Sequence, residues 1–84
     1  MANKFLVEVY LPAAQRSFDM KFPSDSRIGE VNALAAALAA DLSGGSYRAT
    51  DQSVLVNAEN GRIYDVNMKV SELGIQNGTR LILI

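Results

Sequence analysis

The sequence predicts an α+β fold: one mixed sheet of about five strands with one amphipathic helix packed on one face. Two observations carry the sheet. Apolar side chains alternate with period two over residues 4–11 and 17–22, and an apolar strand occupies residues 79–84. A third observation carries the helix. From Ile28 the apolar positions Val31, Leu34, Leu38 and Leu42 follow at steps of three or four, with alanines of high helix propensity between them. Strands grouped on either side of a single helix leave one sheet face for that helix to cover, which is the α+β layer arrangement.

Taken in order, Phe5, Val7 and Val9 alternate with Leu6, Glu8 and Tyr10, and Phe18, Met20 and Phe22 alternate with Ser17, Asp19 and Lys21. The short link Pro12-Ala13-Ala14-Gln15 predicts an antiparallel hairpin between these two strands. Pro23-Ser24-Asp25-Ser26 breaks the second strand and offers side-chain oxygens to a helix start, with Ser26 or Asp25 as N-cap. A full capping box is not expected, because Gly29 stands three residues after Ser26. Ser43-Gly44-Gly45 ends the helix, since glycine takes the left-handed C-cap conformation without strain. Residues 53–58 and 62–64 read as short strands around an Asn60-Gly61 turn. Residues 65–74 read as mostly irregular, with a helical turn begun at Ser71-Glu72, and Asn77-Gly78 turns the chain into the last strand.

Composition sets the limits. At 84 residues and 49% hydrophobic, the chain has material for one core and no length for a second, so residues 1–84 read as a single domain. Its eight basic residues are scattered among nine acids, which offers no basic run to neutralise a phosphate backbone and argues against a nucleic-acid partner. Cysteine is absent, which removes disulfides and thiolate metal sites. Met1-Ala2-Asn3-Lys4 leads into a strand rather than a signal sequence, and no apolar run is long enough to span a bilayer. A cytoplasmic protein without membrane insertion is the expectation.

With the first and last strands parallel at the centre of the sheet, joined by the long connection that parallel neighbours need, this element order is the β-grasp of ubiquitin-like proteins. The stripe Ile28, Val31, Leu34, Leu38 and Leu42 is expected to pack on Phe5, Val7, Val9, Phe18, Met20, Phe22, Leu81 and Leu83. Within that order, Val70-Ser71-Glu72-Leu73-Gly74-Ile75-Gln76-Asn77-Gly78-Thr79-Arg80-Leu81 resembles the small ubiquitin-like proteins of the YukD/EsaB type, encoded with Gram-positive type VII secretion systems. The Leu-Gly-Ile-x-Asn-Gly-x-Arg-Leu stretch is the specific part. The resemblance implies a cytosolic bacterial accessory factor that is not conjugated to targets and that works through protein contacts. It carries no catalytic residues.

The candidate contact surface is the outer sheet face. Alternation from Arg80 places Ile82 and Ile84 away from the helix, beside Leu6 on the neighbouring central strand. Val54-Leu55-Val56 is apolar throughout and its phase stays open, but either phase sends a large apolar side chain outward. The predicted protein-binding residues are therefore Leu6, Leu55, Ile82 and Ile84. The plain alternative is edge packing under a loop or a second copy. Ala33, Ala36, Ala37 and Ala40 are expected on the helix face opposite the core, where helix propensity accounts for them.

Enzyme chemistry finds little to use. Without histidine or cysteine the usual general base and strong nucleophile are missing, and no phosphate-binding glycine loop follows a strand. No catalytic, cofactor or metal residue is predicted. Asp65-x-Asn67 with Glu72 lacks the glycine and the bidentate acid of a calcium loop at their spacings, and reads as turn chemistry. A ubiquitin-type modifier or sulfur carrier needs a flexible tail ending in two glycines. Gly44-Gly45 is internal, so conjugation would require C-terminal processing. The leading expectation is a binding module of a secretion machine, monomeric or weakly self-associating. A processed modifier and an excised cytosolic domain of a secretion membrane protein are its rivals.

Overall fold

A computed structural model of the protein describes residues 4–45, 47–48 and 53–84. The reading of Met1-Ala2-Asn3 as a lead-in lies outside them. The elements are β1 (Lys4–Leu11), β2 (Arg16–Pro23), α1 (Ile28–Leu42), β3 (Leu55–Asn57), a 3-10 turn at Val70–Leu73, and β4 (Arg80–Leu83). The four strands form one sheet in the order β2-β1-β4-β3. β1 pairs antiparallel with β2, from Lys4 opposite Pro23 to Leu11 opposite Arg16. It pairs parallel with β4, Glu8 beside Arg80, Val9 beside Leu81 and Tyr10 beside Ile82. β3 completes the sheet antiparallel to β4. The expected parallel centre is present, and among the described residues the sheet has four strands against the expected five or so. The segment expected as a strand over residues 62–64 contributes a single bridge, Ile63 opposite Val56.

Alternation builds the core as expected. Val7, Val9, Leu11, Met20, Phe22, Leu55, Leu81 and Leu83 are buried on the inner face, while Phe5 and Phe18 pack against them partly exposed. The Phe5 and Phe22 rings meet edge to face, with centroids 6.5 Å apart.

The helix seats itself differently from the expected leucine stripe. Its buried residues are Ile28, Val31, Ala35, Ala36 and Ala39, whereas Leu34 is 44% and Leu42 52% exposed. Leu38 is only partly buried, and Ala36 and Ala40, expected on the far face, lie against the core. The contact surface is thus rotated toward the alanines. The leucines are displaced onto the flank that faces β2.

The helix start also departs from expectation. The N-cap position falls at Arg27, with no side-chain cap to the first amides. Instead the Ile28 and Gly29 amides donate to the Met68 and Val66 carbonyls at 2.9 Å each, so a distant loop closes the free end of the helix. Glu30 accepts from the Arg27 amide at 3.4 Å. Gly29 fits this contact because a Cβ there would stand 3.3 Å from the Val66 carbonyl oxygen. At the other end, Gly44 and Gly45 take φ of 62° and 98°, as expected for a helix stop.

Candidate functional site

The resembling segment over residues 70–81 explains itself as structure. Val70 is fully buried, the Glu72 carboxylate accepts from the Lys69 amide at 3.1 Å, and Gly74 ends the 3-10 turn at φ 75°. Ile75 is buried, and Leu73 packs on the core. Asn77 Oδ1 accepts from the Leu6 amide at 2.8 Å, and the Gly78 amide donates to the Leu6 carbonyl at 2.9 Å. Asn77 thereby extends the β1–β4 ladder past the start of β4. Asp65 closes an Asx turn by accepting from the Asn67 amide at 2.8 Å, in keeping with its reading as turn chemistry. Among the described residues no cluster of acids suits a metal ion.

The outer face carries the remaining candidates, and the register rearranges them. Leu6 is exposed, but its neighbour on the β4 side is the Asn77-Gly78 turn. The Glu8–Arg80 pair stands between Leu6 and Ile82, so Leu6 is not beside Ile82 and Ile84. Leu55 is 1% exposed and belongs to the core. Its strand takes the phase that turns Val56 to the outer face instead, where it is nonetheless buried, at 8% exposure. Opposite residues in a ladder point to the same face. Tyr10, Ile82, Val56 and Ile63 therefore form one continuous row across β1, β4, β3 and the bridged segment. Tyr10 and Ile63 are well exposed, and Ile84 is 57% exposed at one end of the patch. The backbone of Ile84 is paired in both directions with Val54, at 2.9 and 3.0 Å.

Of the predicted residues, Ile82 and Ile84 lie on the outer face with this row, which also holds Tyr10, Val56 and Ile63. Tyr10 was outward by alternation. What was lacking was the offset of β1 against β4, which is set by the Asn77 hydrogen bond and has no signature in hydrophobic pattern. Ile63 lies in the segment read as a short strand over residues 62–64, and joins the row through a single bridge.

The patch is a surface and not a cleft. A concavity of about 410 Å³ elsewhere, between the β1–β2 hairpin and the end of α1, is walled by Leu11, Phe18 and Leu42 with Arg16 at its mouth. No acid lines it. No helix among the described residues is long and apolar enough to cross a membrane.

Comparison with solved structures places this architecture among the ubiquitin-like β-grasp folds. The ubiquitin-like domain of the Mycobacterium tuberculosis type VII secretion system protein EccD1 superposes with a TM-score of 0.75 at 11% identity, covering 98% of both chains. Caldiarchaeum subterraneum ubiquitin gives 0.77 at 14% identity, covering 98% of this chain and 92% of that one. The N-terminal ubiquitin-like domain of the 4931431F19Rik protein gives 0.74 at 17% identity over 100% of this chain and 76% of the other. These identities establish the fold alone. No family model matches the sequence, and no curated protein matches it significantly.

Proposed function

We propose that this is a non-conjugated ubiquitin-like protein-binding module, a cytosolic accessory or regulatory component of a type VII secretion system, with no catalytic activity of its own. The observation that carries the reading is the apolar row on the sheet face opposite the helix, in which Tyr10, Ile63 and Ile84 are exposed, Ile82 is partly exposed and Val56 is buried among them. Large contiguous apolar surface on a folded domain is the usual mark of a protein contact. Leu6, across the Glu8–Arg80 pair, lies at the rim of the same face and contributes little. The type VII assignment is supported by the resemblance of residues 70–81 and by the likeness to the EccD1 domain. The non-conjugated reading is supported by the resemblance of residues 70–81 alone.

The test is co-purification from the native cell. Tagged protein should retain a type VII component, and Ile63→Asp with Ile84→Asp, both at exposed positions, should abolish that retention while the circular-dichroism spectrum is kept. Retention by the folded double variant, or a wild-type eluate free of secretion components, overturns the reading.

A further inference from the structure

The β2 side of the molecule is an open edge: among the described residues no further strand pairs with β2. The other edge, β3, is partly covered by the bridge to Ile63. Exposed edges invite pairing with another strand, and proteins normally blunt them with charge or distortion. Here the charges select a partner. β2 reads Arg16-Ser17-Phe18-Asp19-Met20-Lys21-Phe22-Pro23, a sequence that is complementary to itself about Met20 when run antiparallel. Placed around a two-fold axis at Met20, Asp19 faces Lys21 of a second copy, Lys21 faces its Asp19, and Phe18 faces Phe22. Shifting the axis by one residue sets Asp19 against Asp19 or Lys21 against Lys21, which like charges directly opposite disfavour.

The helix repeats the symmetry. Leu34 lies beside Phe22 and Pro23 at one end of β2, and Leu42 lies beside Phe18 and Ser17 at the other. Leu38 falls between them by helical spacing. In the same two-fold arrangement Leu42 of each copy meets Leu34 of the other, above the Phe18–Phe22 pairs, and Leu38 meets its own copy above Met20. Strand edge and helix flank thus share one axis, and the displaced leucines acquire a use.

We infer that the protein self-associates as a two-fold dimer through antiparallel β2–β2 pairing centred on Met20, with the Leu34, Leu38 and Leu42 flanks of the two helices packed across the axis. The dimer joins two four-stranded sheets into a single continuous one. It uses a different surface from the outer apolar row and stands independently of the function proposed for that row.

Sedimentation equilibrium of the full chain tests it. Wild type should show a monomer–dimer equilibrium. Asp19→Lys and Lys21→Asp, each at an exposed position, should each weaken association about tenfold or more by placing like charges opposite one another. Mixed in equal amounts, the two variants should form heterodimers, because positions 19 and 21 are then both basic in one chain and both acidic in the other, and every facing pair is again of opposite sign. The double exchange in a single chain should restore the homodimer. A wild type that stays monomeric into the millimolar range, a dimer indifferent to either reversal, or a mixture that associates no better than its components overturns the proposal. Should a reversal fail to fold, Leu42→Asp on the exposed flank provides the second probe, and a dimer that it leaves unweakened is equally fatal.

Discussion

Asn77 is a turn residue whose side chain stands in for strand backbone. Its Oδ1 accepts from the Leu6 amide at 2.8 Å, one step beyond the point where β4 can supply a carbonyl. Asn77→Ala should therefore cost about 0.5–1.5 kcal/mol, the ordinary net worth of such a bond, and Asn77→Asp should recover most of it by keeping the acceptor. Urea denaturation of the three proteins measures the difference; equal midpoints would mean that the bond contributes nothing. The same residue explains a failure of sequence reading. Asn-Gly was legible as a turn, but the pattern could not say that Asn77 also fixes the offset between β1 and β4. That offset decides that Tyr10, and not Leu6, stands beside Ile82.

At the scale of elements, α1 shows how hydrophobicity can mislead when alanine is abundant. The leucines marked the helix correctly by their spacing, yet the buried contact is made by Ala35, Ala36 and Ala39 between Ile28, Val31 and the sheet. Alanine scores low on a scale of residue hydrophobicity, yet Ala35 and Ala39 are fully buried here, so the scale does not mark the face that packs. The expected mutational costs are consequently reversed from the simple pattern. Leu34→Ala should lose about 1 kcal/mol or less, because the side chain is already 44% exposed. Ala39→Leu, adding volume at a fully buried contact, should lose roughly 1–3 kcal/mol. Thermal melts of the two variants suffice to check this, and a larger loss for Leu34→Ala would show that the leucine flank, not the alanines, bears the packing. The strands were legible where they alternate. The start of the helix was not, because its cap comes from the carbonyls of Val66 and Met68, far away in sequence.

For the whole molecule, element order was enough to read the ubiquitin-like fold, and the inner face of the sheet followed from period two. The outer face was legible only in part, since it depends on which residues of separate strands come to stand side by side. If the parallel centre is as firmly held as its hydrogen bonds indicate, the Glu8 amide, bonded to the Thr79 carbonyl at 3.1 Å, should exchange with solvent only when the entire protein unfolds. The Ile84 amide, bonded to Val54 at 3.0 Å, should show measurable protection as well. Hydrogen exchange followed by NMR reads both, and an Ile84 rate equal to that of an unstructured peptide would show that segment frayed.

The bond from Leu6 to Asn77 joins residues 71 positions apart, and the two innermost strands lie at opposite ends of the described chain. On the ribosome, the hairpin β1–β2 and the helix emerge first, and the core they share stays incomplete until the strand that belongs between β1 and β3 has been synthesised. Maturation is thus a late, nearly all-at-once event, and nascent chains arrested before residue 80 should depend on chaperones to stay out of aggregates.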